Sequence, residues 1–528
     1  MKPIRLVQGF LTVGVWTLAS RVLGFARDIL IAAFLGTGPI AEAFLIAFSL
    51  PNMFRRFFAE GAFNMAFVPM FAKKLEAGDE PERFAREAFV GMTVLLTTFT
   101  ILGIVAMPAL VWLMASGFVG DERFTLAVEY GRIAFPYILF ISLAALLSGV
   151  LNATGRFVAA AAAPVLLNVV FIVAMVVGWL FGRPMEESLG TGIDNLLGLR
   201  VGDTLAASVP IAGAAQLLLV WWAAHRAGFS MRALRPRLTP DLRRLAIIAL
   251  PAMLAGGVVQ INLLIGRQVA SHFEGAVAWL SYADRLYQLP LGVIGIAVGV
   301  VLLPDLSRRL RAGDTIGGRD AFSRAAEFSL ALTIPATIAL LVVPLPLVSV
   351  LFERGAFDSD DAAATAFAVA VYGLGLPAFV LQKCYQPLFY AREDTRRPFY
   401  YALVALVVNA AVAVGLAPVI GYIAAALGTT LAGWAMVVTL RIGARGMGEA
   451  ARLDDRFRRR IWRIVLASVA MGGILWALSA TLTPFLMTPG SRGWALALLV
   501  AAGIVIYFAF GQLFGAFRLA EFRRAMRR

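Results

Sequence analysis

The chain has 528 residues, of which 60% are hydrophobic and 15% are charged, and its formal net charge at pH 7 is +15. Because a soluble domain carries about 25% charged residues, this composition excludes a water-soluble globular protein. One cysteine, Cys384, and two histidines, His225 and His272, exclude a disulfide framework and a usual zinc site, so neither a cofactor nor a metal is expected.

Apolar segments recur along the whole chain, each about as long as the 20 residues that an α-helix needs to cross a bilayer. The predicted fold class is therefore all-α integral membrane protein, with about fourteen transmembrane helices. The first segment is interrupted by Arg21, Arg27 and Asp28 and is followed by no small-residue cleavage site, so it is interpreted as a span and not as a signal peptide. The predicted spans are 8–34, 41–71, 88–116, 124–152, 157–182, 204–225, 243–271, 276–305, 325–352, 362–391, 398–419, 421–443, 461–486 and 493–517.

Basic residues concentrate in alternate loops, and short cytoplasmic loops carry the excess of Lys and Arg. Both termini are rich in basic residues and fall on the same side, so they are predicted to be cytoplasmic. The positive charge is thus a signal of topology and of contact with membrane lipids, and no nucleic acid is expected as a partner. The basic loops are 73–86, 156, 226–244, 308–311, 392–397 and 452–463.

An internal repeat is indicated by a polar loop that occurs twice. Ala77-Gly78-Asp79 recurs as Ala312-Gly313-Asp314 at an offset of 235 residues, and Pro136 and Asn168 recur as Pro377 and Asn409 at an offset of 241. The predicted domains are a six-helix lobe over 1–228, a second six-helix lobe over 229–447, and two additional helices over 448–528. Since six spans are an even number, both lobes enter from the same side, and transporters built this way bind substrate between the lobes.

Ionisable residues lie inside several predicted spans, where each costs about 2.5 to 3.5 kcal/mol near the bilayer centre. They are candidate site residues, and the basic ones outnumber the acidic ones. Arg56 and Glu60 are spaced to pair within one helix, which leaves Arg55 on another face. The alternative is that some of them reach an interface or form structural ion pairs, above all Arg267, near a span end. The set is Arg21, Arg27, Asp28, Arg55, Arg56, Glu60, Arg267, Asp284, Arg285 and Lys383.

Arginine predominates among these charges, and a guanidinium binds phosphate or pyrophosphate through two parallel hydrogen bonds. An anionic substrate is therefore expected. The sequence contains no nucleotide-binding phosphate loop and no serine nucleophile motif, so an enzyme is not predicted. An ion gradient or the membrane potential is the expected energy source, but the seventh, eleventh and twelfth spans hold no carboxylate to support a sodium site.

Three segments resemble the signature of the MurJ/MviN family of lipid II flippases. They are residues 20–28, SRVLGFARD; residues 50–63, LPNMFRRFFAEGAF, followed by AFVP at 66–69; and residues 282–286, YADRL. The resemblance extends over essentially the whole chain. It implies the fold of the multidrug/oligosaccharidyl-lipid/polysaccharide exporter superfamily and a bacterial cytoplasmic membrane location.

The family resemblance also implies a substrate, undecaprenyl-pyrophosphate carrying the disaccharide-peptide unit of peptidoglycan, which moves from the cytoplasmic to the periplasmic leaflet. Motif positions place the family's functional charges at Arg21, Arg27, Asp28, Arg55, Asp284 and Arg285. Glu42 keeps the charge where some members have Asp, whereas Gln288 stands where some have Glu. Together with Glu42 and with Glu60 and Arg267 from the charges inside spans, the predicted substrate-binding residues are Arg21, Arg27, Asp28, Glu42, Arg55, Glu60, Arg267, Asp284 and Arg285.

The polyprenyl tail of such a substrate needs an apolar path. Between Arg463 and Arg518 the only charged residue is Arg492, so the last two spans are a candidate path, with ordinary lipid-facing surface as the alternative. Other functions stay open, namely a drug/cation antiporter or polysaccharide-lipid exporter of the same superfamily and a membrane scaffold without transport. The expected partners are lipid II and membrane lipids, with a coupling ion left open.

Overall fold

The computed structural model describes residues 6–60, 62–181, 201–231 and 235–517, and most of these residues are helical. This confirms the predicted all-α membrane class. The helices are α1 (Leu6–Leu35), α2 (Pro39–Arg55), α3 (Ala62–Ala77), α4 (Pro81–Val105), α5 (Met107–Met114), α6 (Glu122–Ala134), α7 (Tyr137–Ala153), α8 (Val158–Phe181), α9 (Val201–Arg226), α10 (Pro240–Ala270), α11 (Ala276–Arg311), α12 (Thr315–Val342), α13 (Pro344–Phe352), α14 (Ser359–Tyr390), α15 (Arg396–Ile420), α16 (Ile423–Ala444), α17 (Asp455–Met487) and α18 (Arg492–Leu513).

Ten helical segments within the described residues are long and apolar enough to cross a membrane. The first, second, seventh and eighth predicted spans also form helices, α1, α2 with α3, α10 and α11, but they are not among the ten. These four spans hold most of the charges predicted to lie in the membrane. The total of fourteen therefore remains a prediction, whereas the helical nature of each predicted span is confirmed.

The chain packs as two compact units, an N-terminal unit, Met1–Ala278, and a C-terminal unit, Trp279–Arg528. Helix α10 belongs to the N-terminal unit. At its start Asp241 lies 3.0 Å from the Lys74 ammonium group, which also contacts Asp79 at 2.8 Å. The hydrogen bond to Asp79 and then that to Asp241 raise the pKa of Lys74, so the ammonium group keeps its charge and ties α10 to the loop after α3. The predicted domain boundaries after residues 228 and 447 remain predictions.

The two loops of the predicted repeat have the same local geometry. Each turns at a glycine in the left-handed region, with φ 66° at Gly78 and 73° at Gly313, a conformation that glycine adopts without steric cost. The following aspartate then pairs with a basic side chain five residues earlier in the sequence. These pairs are Lys74 with Asp79 at 2.8 Å and Arg309 with Asp314 at 3.3 Å.

Two long helices end in the same way on the far side of those loops. Helix α4 stops at Ala106 and is followed by the short α5, and α12 stops at Val343 and is followed by the short α13. Each short helix has a proline in its first turn, where the missing N–H costs no hydrogen bond. This matching pattern supports the predicted repeat.

Candidate functional site

Helix α2 organises the polar interior of the N-terminal unit. It starts at Pro39, whose fixed φ suits the first helical turn, and most of its first half is buried. Glu42, Leu45 and Ser49 follow one another at spacings of three and four residues, so they lie along one face of the helix. Phe48 lies on a neighbouring face. Buried arginines contact α2 on both faces.

The first buried arginine is Arg27 of α1, which is only 5% exposed. Its Nη2 and Nε donate to Asp28 Oδ1 at 2.6 and 3.0 Å, and its Nη1 donates to Asn168 Oδ1 of α8 at 3.0 Å. The Asn168 amide nitrogen in turn donates to the Ser20 carbonyl oxygen at 2.9 Å. Asn168 therefore joins α8 to α1 at two points separated by two helical turns.

Aromatic rings complete the surroundings of Arg27. Its guanidinium carbon lies 5.9 Å from the centre of the Phe48 ring and 5.6 Å from that of Phe171. Both distances are within the range of a favourable cation–π contact. A charged group this deeply buried is stable only because a carboxylate, an amide oxygen and two ring faces replace its water.

The second buried arginine, Arg123 of α6, pairs with Glu42. The Glu42 side chain is fully buried, and its Oε2 accepts from Arg123 Nη1 at 2.9 Å. Its other oxygen accepts from the Val277 backbone N–H at 3.0 Å, at the start of α11. The Asp121 carboxylate also accepts from Arg123, and the ring of Phe118 lies 4.6 Å below the guanidinium. Glu42 thus holds α6 and the first turn of α11 against α2.

Arg267 of α10 makes a third contact with α2. It is half-buried, and its Nη1 donates to the Ser49 hydroxyl and, at 3.3 Å, to the Leu45 carbonyl oxygen. Ser49 itself donates to the Leu45 carbonyl oxygen at 2.5 Å. Arg267 consequently fixes α10 against the polar face of α2.

Arg55 is the last residue of α2 and is half-buried. A π-helical turn, Arg56–Glu60, follows it directly. Such turns are rare and often occur at functional sites, because the extra residue per turn rotates the next helix face. Arg56 is exposed, while the side chain of Glu60 lies outside the described residues, so the predicted pairing of these two residues remains a prediction.

Arg21 differs from the other arginines of the N-terminal unit. It is exposed on α1, in a stretch where Val15, Leu18 and Val22 are also exposed apolar residues. Within the described residues it makes no hydrogen bond and no ion pair. A guanidinium in this position offers five N–H donors to water or to an incoming anion.

Two predicted site residues lie in the C-terminal unit, on α11. Asp284 is half-buried and accepts a hydrogen bond from Gln288, one turn later in the same helix. Arg285 is exposed. Lys383, the other charge predicted inside a span of this unit, is exposed on α14. None of the described His, Cys, Asp and Glu side chains form a group that could hold a metal ion.

The N-terminal unit thus gathers its predicted residues into separate clusters. Arg27 and Asp28 form one, Glu42 belongs to a second, and Arg267 to a third. Two residues of these clusters were not predicted from the sequence. Arg123 follows the polar residues 121–122 and therefore resembles a loop residue. Asn168 was noted only as part of the internal repeat.

Comparison with known proteins gives the same assignment along the whole chain. The sequence profile of the family described as lipid II flippase MurJ matches residues 31–498. A relative from Rhizobium meliloti is 44% identical over 99% of this chain and 96% of its own length. The lipid II flippase MurJ of Burkholderia cenocepacia is 34% identical, with 99% of each chain covered. The chain belongs to the MurJ family.

Solved structures agree with MurJ membership at the level of the fold. A lipid II flippase MurJ in an inward closed conformation has a TM-score of 0.77 at 24% identity and covers 96% of this chain and 98% of its own. An inward-facing multidrug resistance MATE family transporter of the MOP superfamily has a TM-score of 0.64 at 15% identity, covering 82% of this chain and 95% of its own. At these identities the likeness concerns the fold alone.

Proposed function

We propose that this MurJ family member transports lipid II, a polyprenyl pyrophosphate carrying a disaccharide-peptide, from the cytoplasmic to the periplasmic leaflet of the bacterial inner membrane by alternating access. Arg21 is the observation that carries the proposal. It is an exposed guanidinium in an apolar helix and has no partner among the described residues. A pyrophosphate would supply the missing counter-charge, and a guanidinium suits it because two parallel hydrogen bonds can form.

Arg55 and Arg285 are proposed as further substrate-binding residues, since neither is deeply buried. Arg27 is assigned a supporting role in binding, because its donors already serve Asp28 and Asn168. The excess of basic over acidic groups at the proposed site disfavours the alternative of a drug/cation antiporter, because a cationic guest needs an unpaired carboxylate. An ion gradient or the membrane potential is proposed as the energy source.

Two experiments on the purified full chain test the proposed function. One compares the binding of two ligands, and the other measures transport. We expect a polyprenyl pyrophosphate to bind and an organic cation such as ethidium to bind at least about a hundredfold more weakly, as several lost charge-assisted hydrogen bonds predict. In proteoliposomes, lipid II should reach the opposite leaflet faster than in protein-free vesicles. Tighter binding of the cation, or no acceleration of lipid II movement, would contradict the proposed function.

Both termini and the loop 226–244 are proposed to be cytoplasmic, because basic loops alternate along the chain. Single cysteines introduced into a Cys384→Ser background test this, since Cys384 is the one cysteine of the sequence. A cysteine at Ala227 should react with a membrane-impermeant maleimide only after the cells are opened. A cysteine at Gly490 should react in intact cells. The reverse pattern would invert the topology.

A further inference from the structure

Two arginines of the C-terminal unit, Arg354 and Arg492, lie outside the predicted spans. Both contact the carboxyl end of the short helix α13. Arg354 follows α13, and Arg492 starts α18. On the proposed topology both belong to extracytoplasmic loops, where this chain carries few basic residues. Positively charged loops are normally cytoplasmic, so a basic pair on this side runs against the general trend.

Packing of α13 against the last two helices fixes where these arginines lie. Val350 of α13 is in the same buried apolar cluster as Leu486 and Leu496. Arg354 Nη2 donates to the Val350 carbonyl oxygen at 2.7 Å, and Arg492 Nη1 donates to the Glu353 carbonyl oxygen at 3.0 Å. The two guanidinium groups are therefore held at the carboxyl end of one helix.

The backbone around Arg354 is fixed by a tight turn and by aromatic packing. Arg354 and Phe357 close a tight turn in which the Phe357 N–H donates to the Arg354 carbonyl oxygen at 3.2 Å. Gly355 within this turn has a φ of 60°, in the left-handed region. Phe357 is buried, and its ring lies 5.6 Å from that of Tyr282 and 6.0 Å from that of Phe352. The position of Arg354 is thus set by a packed aromatic cluster.

Neither Arg354 nor Arg492 forms an ion pair with the described residues. In the described part of the chain no carboxylate lies within 4 Å of Arg354 or Arg492. The nearest in sequence, Glu353, instead accepts a hydrogen bond from the Ser349 hydroxyl, and Asp358 caps α14. Burial, and then the charge of Arg492, lower the pKa of Arg354, so the neighbouring cation disfavours the charged form of Arg354.

Capping of α13 accounts for only part of the charge and only some of the N–H donors of the two arginines. A helix carboxyl end carries about half a negative charge, which offsets one cation incompletely and two far less. Each guanidinium has five N–H donors, and among the described residues each gives a single hydrogen bond to the helix end. An anion with several oxygens, such as a phosphate group, would use the remaining donors.

The surrounding surface is apolar and suits a lipid. Trp494 is 81% exposed, Met487 is 76% exposed and Phe485 is 56% exposed, all on α17 and α18 or the loop between them. Exposed tryptophan is typical of the membrane–water interface. Between Arg463 and Arg518, moreover, Arg492 is the only charge. A phosphate held there would therefore belong to a lipid with its chain along α17 and α18.

We infer that Arg354 and Arg492 form an exit site for the pyrophosphate of the transported polyprenyl lipid in the extracytoplasmic leaflet. The site holds the headgroup phosphates while the tail lies along α17 and α18. This inference rests on the proposed function and topology. The role of the exit site is to retain the transported lipid at the outer surface and so to oppose the return of that lipid.

Site-specific photocrosslinking on the purified full chain tests the exit site. A benzophenone amino acid replaces Trp494, and the protein is placed in phosphatidylcholine nanodiscs with radiolabelled geranylgeranyl pyrophosphate as the probe. In the Arg354→Gln/Arg492→Gln variant the labelling at position 494 should fall about tenfold or more, as loss of charge-assisted hydrogen bonds predicts. Arg354→Lys/Arg492→Lys should retain an intermediate level, because it keeps the charge without the planar fork.

The matched control is Arg452→Gln/Arg458→Gln, which removes two exposed arginines near the other end of α17 and should leave the labelling unchanged. Unchanged labelling in the Arg354→Gln/Arg492→Gln variant would overturn the inference. So would equal labelling by uncharged geranylgeraniol, or equally effective displacement of the probe by phosphatidylglycerol, which would make this a general phospholipid contact.

Failure of this inference can be separated from failure of the proposed function. If the unaltered protein moves lipid II in proteoliposomes while labelling is insensitive to the arginines, only the exit site is wrong. If labelling depends on the arginines but lipid II does not move, the site binds a lipid pyrophosphate and the proposed transport function is wrong.

Discussion

Replacement of Arg27 by Ala is expected to destabilise the protein by about 3 to 5 kcal/mol, the usual cost of removing one member of a buried ion pair. Asp28 is only 7% exposed and takes two hydrogen bonds from Arg27. Asn168 Oδ1 would lose its arginine donor as well. The buried ion pair therefore makes Arg27 important for folding as well as for the site.

Thermal unfolding in detergent measures this effect. Arg21→Ala is the matched control, since it removes an exposed arginine of the same helix and should change stability by no more than about 0.5 kcal/mol. Arg27→Ala/Asp28→Ala should recover part of the lost stability, because it removes both members of the buried ion pair. Equal stability of Arg27→Ala and Arg21→Ala would show that the pair contributes nothing.

The fold could be predicted largely from apolar segment length, because backbone groups in lipid must be bonded within their own helix. The described residues of each predicted span are largely helical, even where Pro51 or Pro290 lies within the span. The break between α12 and α13 at Val343 was not predicted, because both parts are apolar and periodicity does not distinguish one helix from two in line.

The polar clusters could be predicted only in part. Helical spacing identifies neighbours only within one helix, as for the predicted Arg56–Glu60 pair, which lies in a π-helical turn and stays a prediction. The partner of Glu42 is Arg123, 81 residues later, and that of Arg27 is Asn168, 141 residues later. Such contacts depend on how helices pack, which a single sequence does not specify.

These contacts divide the arginines described above into two groups. Arg27 and Arg123 are buried and paired with carboxylates, so their charges are already balanced within the protein. Arg267 gives its hydrogen bonds to α2. Arg21 and Arg285 are exposed, and Arg55 is half-buried. Ligand binding is therefore expected to depend most on Arg21, Arg55 and Arg285. Helix packing is expected to depend most on Arg27, Arg123 and Arg267.

Loss of transport is accordingly expected for Arg21→Ala, Arg55→Ala and Arg285→Ala, each with little change in the amount of protein in the membrane. An arginine near the bilayer centre costs about 2.5 to 3.5 kcal/mol, so its removal does not impair insertion. What is lost is a charge-assisted contact with pyrophosphate, about 1.5 to 3 kcal/mol for each hydrogen bond. Lys should restore activity poorly where both oxygens of a phosphate are bound, because an ammonium group lacks the planar fork.

Complementation of cells depleted of their own lipid II flippase provides the measurement, with the membrane level of each variant determined in parallel. Arg83→Ala is the control, since Arg83 is an exposed arginine that pairs with Glu80 and Glu87 at the surface of α4 and should be dispensable. The three variants should fail to support growth at normal protein levels, whereas Arg27→Ala should fail with a reduced level. Growth sustained by all three would mean that the substrate's pyrophosphate is bound elsewhere.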